Sequence, residues 1–446
     1  MGLIDWTLLF IQISLLIFII FSEILRKKQR NLFAIFVSAT LLILVQGQAW
    51  WVFRQFETLK VTRLDVVINT FTLDNARTAN YYYTICLLCF AFTVLLFRKL
   101  RWSKLKKTVS EVPKPRPSVA AYLFVGIWTM MMSGLLITQV GGLNSALTKP
   151  GQNVGGQTVF LLAIGIAKWP LILKIINRQK INIFDILLFS IAILITLFNS
   201  RFLTAFALLQ LFVVINYCRK EISRKVIFLM IVPAIVIFFI FGLYRDFAYR
   251  FGTVGASEAA SKFTSAVDEF SVLDWFYRDN VEGFTGVAGI INKQVRSGDF
   301  HYDFGVSEFV VFMDYIPNSI RNDPNGSFVG LSKYFEKTKP YSGSVVPSGF
   351  EQAFGHLGLS GMVIYSLFLG TLIPYFHYYA RRYGLLRIVC LLLSVHLLNG
   401  VRASIFGSIM FFGVADLVMF GLYNLFLRRS SIKPVNAPKP ADITPI

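Results

Sequence analysis

The chain is a succession of apolar runs long enough to cross a membrane, and its basic residues gather at every second interval between them. A helix needs about 20 consecutive apolar residues to span the hydrocarbon core. By that measure about eleven runs qualify: 6–25, 32–53, 79–97, 118–139, 157–176, 182–199, 202–218, 225–244, 357–379, 384–399 and 404–426. Arg26, Lys27, Lys28 and Arg30 follow the first run, and a basic stretch from Arg98 to Arg116 follows the third. Arg178 and Lys180 follow the fifth, and Arg219, Lys220, Arg224 and Lys225 the seventh. Arg381, Arg382 and Arg387 follow the ninth, and Arg428, Arg429 and Lys433 the last. Cytoplasmic loops carry the Lys and Arg excess of polytopic proteins. This alternation therefore predicts an outside N-terminus, an inside C-terminus and an outside segment at 245–355. The expected fold is an all-α polytopic membrane protein. It divides into transmembrane helices over 1–244, an outer loop domain over 245–356, further transmembrane helices over 357–427 and a disordered cytoplasmic tail over 428–446.

Composition excludes other classes. Hydrophobic residues make up 55%, mean hydropathy is +0.61 and charged residues are 15%, against about 25% in soluble domains. The net charge of +20 would suit nucleic acid, but its clustering between apolar runs is the membrane pattern instead. Cys86, Cys89, Cys218 and Cys390 all lie in or at the ends of spans, so they read as packing residues rather than a disulfide or zinc framework. No basic region precedes the first run and basic residues follow it, which predicts a retained span rather than a cleaved signal. Asn199-Ser200-Arg201 is the turn signal between the sixth and seventh runs and predicts a tight helical hairpin.

The segment from Arg245 to Glu351 holds fourteen Asp and Glu against ten Lys and Arg, so it is acidic in a basic chain. Residues 258–278 place Phe263, Val267, Phe270 and Leu273 at helical spacing. Phe304, Phe309, Val310, Met313 and Ile316 fit an amphipathic helix on the outer leaflet.

The expected topology puts Arg201, Arg245 and Arg402 at the outer surface, where the charge bias disfavours arginine. Each alone reads as a snorkelling anchor. Three at one depth point to a shared anionic ligand, because the guanidinium fork donates paired hydrogen bonds to phosphate. Spans seven, nine and eleven start on that side, presenting free N–H groups and positive dipole ends. Candidate bases are Glu351 and His356. Ser348-x-x-Glu351 also fits a capping box, and His356 also fits a polar residue satisfied at the interface. His377 is expected near the inner face and His396 packed within its span. Lys168 and Asp416 lie inside spans, where charges are functional candidates by default; a structural pair is the preferred reading, a proton or ion path the alternative.

Several short motifs, in this order and on this side, resemble the bacterial O-antigen and oligosaccharide repeat-unit polymerases, the Wzy family. They are Phe198-Asn199-Ser200-Arg201, Leu243-Tyr244-Arg245, the apolar stretch from Phe309 through Ile316-Pro317 to Arg321, and Asn399-Gly400-Val401-Arg402. The segment Val346-Pro347-Ser348-Gly349-Phe350-Glu351, with Gly355, Gly358 and Gly361 beyond it, is the closest match. His356 departs from the family pattern. The resemblance implies a fold like the class-C glycosyltransferases and a metal-independent enzyme without cofactor. Such an enzyme joins oligosaccharide units carried on undecaprenyl diphosphate at the periplasmic face of the inner membrane, together with a chain-length regulator and with no nucleic-acid partner. On that basis Glu351, His356 and Arg245 are expected in the chemistry, and Arg201, Arg402, Arg321, Ser348 and Tyr341 on the diphosphate and sugar. A flippase for the same lipid-linked unit and an O-antigen ligase remain the alternatives.

Overall fold

The computed structural model describes residues 2–26, 30–66, 69–99, 116–139, 162–199, 201–218, 283–297, 348–381, 385–402, 409, 413–425 and 427–428. Among these, five helices are long and apolar enough to cross a membrane. They are α1 (Leu3–Ile24), a composite of α2 (Leu32–Leu41), a π-helical segment (Leu42–Gln46) and α3 (Gly47–Leu59), α4 (Leu73–Lys99), α5 (Val119–Gln139) and α10 (Gly349–Ala380). The remaining helices are shorter: α6 (Trp169–Ile176), α7 (Ile183–Asn199), α8 (Arg201–Cys218), α9 (Phe284–Ser297), α11 (Leu385–Leu393), α12 (His396–Arg402) and α13 (Val414–Leu425).

Two expected spans are interrupted. The fifth passes through a 3₁₀ turn at Gly165–Lys168 before α6. Pro170, near the start of α6, lacks the N–H an uninterrupted helix would use. The tenth breaks between α11 and α12 at Ser394–Val395. The run 225–244, the helices expected over 258–278 and 304–316, and the tail lie outside the described residues.

Helix ends explain the packing order. Asn31 caps α2 by accepting from the Ala34 amide at 3.2 Å. At this same end of α1 the buried Glu23 carboxylate binds Arg26 and Arg98, both at 3.2 Å, and accepts from the Asn31 amide at 3.0 Å. The opposite end of α1 is closed by Asp5, buried against Arg77 at 3.1 Å. Between these ends the Gln12 amide donates to Asn80 Oδ1 at 2.8 Å and to Thr84 Oγ1, joining α1 to α4 by polar contacts in an apolar setting. Such contacts hold helices together where lipid offers no hydrophobic drive.

Beyond α3, Lys60 takes a left-handed backbone (φ 49°) and ends the helix. A short antiparallel hairpin follows, β1 (Arg63–Val66) against β2 (Asn69–Thr72), with Arg63 opposite Thr72. A second pairing, β3 (Arg116–Pro117) with β4 (Leu427–Arg428), ties the start of α5 to the chain beyond α13. The expected hairpin at 199–201 is formed: α7 ends at Asn199, α8 starts at Arg201, and Thr204 donates across the pair to Thr196 at 3.0 Å. The four cysteines are unpaired by disulfides, and Cys86, Cys218 and Cys390 are buried.

Lys168 and Asp416 form the expected pair. The ammonium meets the two carboxylate oxygens at 2.6 and 2.8 Å, and the Gln210 amide approaches Asp416 at 3.5 Å. A second buried pair, Lys174 to Asp185 at 2.7 Å, takes the Tyr122 hydroxyl at 2.6 Å and the Asn182 amide at 2.7 Å.

Candidate functional site at the meeting of α9, α10 and α12

α10 is two helices in one. Leu357 (φ −143°) and Gly358 (φ 62°) leave helical geometry, so a short helix from Gly349 to His356 precedes the long one. Gly358 is the residue that adopts this positive φ without strain. The break falls at the residue where the ninth run was expected to begin, and residues 349–356 ahead of it are helical.

Ser348 caps the short helix. Its hydroxyl accepts from the Glu351 amide at 3.2 Å and the Glu351 carboxylate accepts from the Ser348 amide at 2.9 Å. The capping-box alternative is thus the one formed. Glu351 does more than cap, because its other oxygen accepts from the Gly283 amide at 2.6 Å. One buried carboxylate, 1% exposed, so binds the starts of two helices 68 residues apart in sequence.

The α9 helix is held at its start by three neighbours. Besides Glu351, the Gln48 side chain accepts from the Thr285 amide at 3.1 Å, and the Tyr83 hydroxyl donates to the Gly283 carbonyl at 3.2 Å. Phe284, Tyr83 and Phe350 pack around the carboxylate, with ring centroids 5.5–5.9 Å apart. Further along, Asn292 donates to the Thr70 carbonyl at 2.6 Å, docking α9 on the β1–β2 hairpin. Lys293 lies beside it, and burial pushes its ammonium down from its ordinary value.

Gly286 is required by this clamp. A Cβ there would overlap Glu351 Oε1. Gly286→Ala is therefore expected to displace the carboxylate and lose about 1–3 kcal/mol of stability, as overpacking does. Thermal unfolding in detergent checks this, and an unchanged midpoint would mean the close approach is not present in the protein.

The third partner is α12. Tyr365 donates to the Gly400 carbonyl, and a Cβ on Gly349 would overlap that same carbonyl and the Tyr365 hydroxyl. The Ser348-Gly349 start of α10 thus lies against the Gly400-Val401-Arg402 end of α12, bringing together two motifs that stand far apart in the sequence.

α8 runs antiparallel to α11. Arg387 donates to the Tyr217 carbonyl at 3.0 Å, and Gln210 to the Leu392 carbonyl at 3.3 Å. Arg201 begins α8 and Arg402 ends α12. His356 sits half-buried on the last turn before the break. Arg245, Arg321 and Tyr341 lie outside the described residues. His377 shares a hydrogen bond of 2.8 Å with the Tyr217 hydroxyl, at the opposite end of α8 from Arg201. His396 is 1% exposed, packed within the bundle as expected.

Sequence reasoning missed Gly283, Gly286, Gln48 and Tyr83. Their signal is a long-range meeting of α9 with α3 and α4, which no local period carries. Fold and geometry define a helical protein embedded in a membrane, with a buried carboxylate clamp at one end of the bundle. No family model, curated protein or solved structure matches this chain.

Proposed function

We propose that the protein is a polysaccharide polymerase of the Wzy kind. It is a metal-independent glycosyltransferase that joins undecaprenyl-diphosphate-linked oligosaccharide units at the periplasmic face of the bacterial inner membrane, with about eleven spans and a class-C-like arrangement. The observation that carries the reading is the contact of the Ser348-Gly349 helix start with the Gly400–Arg402 helix end, which brings two of the motifs together. The arginines that the charge pattern of the sequence puts at this end of the bundle suit a diphosphate. Cationic donors aimed at a leaving diphosphate stabilise its developing charge, the kind of electrostatic assistance that dominates many transfer reactions. In this reading Arg201, Arg245 and Arg402 hold the diphosphate and Arg321 and Tyr341 border the sugars, while Ser348, 1% exposed with its hydroxyl on the Glu351 amide, serves the clamp. Glu351 fixes the two helix starts that shape the site. His356, half-buried at the break, takes the proton from the acceptor hydroxyl.

The test is reconstitution. Purified protein in liposomes with lipid-linked repeat units alone, without nucleotide sugar and with chelator present, is expected to yield ladders of longer glycans and to release the lipid diphosphate. Movement of intact lipid-linked units across the bilayer without chain growth would instead identify a flippase. Transfer only to a lipid A core acceptor would identify a ligase.

A further inference from the structure

The two interruptions in the expected spans meet at one place. Lys168 closes the 3₁₀ turn ahead of α6, and Leu392 stands just before the break between α11 and α12. The Gln210 amide links them. It donates to the Leu392 carbonyl at 3.3 Å and approaches the Asp416 carboxylate that Lys168 holds. His396, the first residue of α12, is buried against Gly413, where a Cβ would lie 3.4 Å from the His396 ring. It is within electrostatic reach of both Lys168 and Asp416. Irregular backbone at membrane depth occurs where it is buried in protein or lines a watery passage.

The second buried pair continues this cluster. Asp416 and Tyr423 are the buried residues of α13, two turns and about 10 Å apart on one face. Tyr423 is within electrostatic reach of Asp185, which holds the Lys174 ammonium at 2.7 Å and the Tyr122 hydroxyl at 2.6 Å. Along α13 between Asp416 and Tyr423, Phe420 packs on Trp169 with ring centroids 5.1 Å apart, and the Lys168 ammonium lies 5.4 Å from the Trp169 ring. Asp185 stands in the first turn of α7, just after the loop that the charge pattern of the sequence puts inside.

Three polar atoms here have no hydrogen-bond partner among the described residues: Gln210 Oε1, Trp169 Nε1 and the Tyr423 hydroxyl, all on side chains no more than 1% exposed. A tie that only joined helices would not need them, because an orphaned buried group costs stability. Water is the usual partner of such groups, and ionisable side chains linked through water relay protons inside membranes. We propose that these residues form a proton path through the bundle, entered at Asp185 and running by Tyr423 to the Lys168–Asp416 pair and on to His396, with Trp169 Nε1 holding water between the two pairs. At the pair the Lys168 ammonium gives a proton to Asp416: an N–H bond breaks, an O–H bond forms and two charges become none. Asp416 passes that proton to the His396 ring, and a proton from the Asp185 side restores the ammonium by way of the Tyr423 hydroxyl. The same steps in reverse carry a proton the other way. The proposal rests on the membrane-embedded fold and stands apart from the polymerase reading.

The test is proton flux into liposomes that hold the full chain and an enclosed pH-sensitive dye, driven by a potassium diffusion potential. The wild-type protein is expected to carry protons faster than protein-free liposomes leak them. Tyr423→Phe removes only a hydroxyl without a partner, so its unfolding midpoint is expected to match or exceed the wild type. Its flux is expected to fall to about a hundredth, the low end of what a positioned proton-transfer group contributes. The Lys168→Met/Asp416→Leu double variant is expected to carry no protons. A wild-type rate equal to the leak of protein-free liposomes would overturn the proposal without any variant being needed. So would a Tyr423→Phe protein or a double variant that conducts like the wild type, or a current that follows a sodium gradient and ignores the proton gradient, which would mark an ion path instead.

Discussion

Asp416→Leu is expected to be among the most destabilising single changes in the described bundle. The substitution leaves the Lys168 ammonium buried, 8% exposed, with its two carboxylate contacts at 2.6 and 2.8 Å removed. Breaking a buried pair from one side loses about 3–5 kcal/mol, because the surviving charge has neither partner nor water. Replacing both members with apolar residues of similar volume, Lys168→Met with Asp416→Leu, is expected to recover most of that loss. The measurement is the unfolding midpoint of each variant in detergent, with chain growth followed in cells. Stable, active double-variant protein would make the pair a structural tie between α13 and the 3₁₀ turn ahead of α6. Stable but inactive double-variant protein would make it part of a proton or ion path. A single variant as stable as the wild type would mean that the pair is not formed.

This pair is legible in the sequence, and the reason is physical. A charge in an apolar run has so few ways of being satisfied that finding two of opposite sign nearly identifies the contact. The α7–α8 hairpin is legible because Asn199-Ser200-Arg201 is the turn signal between the two apolar runs. Helix continuity is much less so. Apolar composition measures how a segment partitions, not whether its backbone runs unbroken, so the 3₁₀ turn at Gly165–Lys168 and the π segment at Leu42–Gln46 leave no mark in the pattern. The candidate site divides along the same line. Ser348 and Glu351 are three residues apart and their capping contact is local, so the motif announces it. The grip of Glu351 on Gly283 is not local, and the acidic, mixed composition around α9 gives no reason to bury that helix among α3, α4 and α10. Gly286 becomes meaningful only because a carboxylate lies where its side chain would be.

For the arginines, Arg201→Lys and Arg402→Lys are each expected to slow chain growth by about 10²–10³, or roughly 3–4 kcal/mol in the barrier. The charge pattern of the sequence puts both at the outer level, and Gly400, two residues from Arg402, touches the start of α10. An arginine acting on a leaving diphosphate uses its planar fork, which lysine lacks although it keeps the charge. An arginine that only anchors a helix end in the interface tolerates lysine, because lysine snorkels as well. Lysine substitution therefore separates the two roles where alanine would not. Arg245→Lys belongs in the same series, since the charge pattern of the sequence puts it at the same outer level. The measurement is the glycan length distribution in a deletion strain complemented by each variant, with membrane abundance matched, followed by initial rates in liposomes. Short chains at normal abundance for Arg201→Lys and Arg402→Lys would place both on the diphosphate. Normal long chains for all three variants would make these arginines anchors and move the anion site elsewhere on the molecule. Loss of abundance in parallel with loss of chains would leave the rates in liposomes, measured per folded protein, to decide between the two.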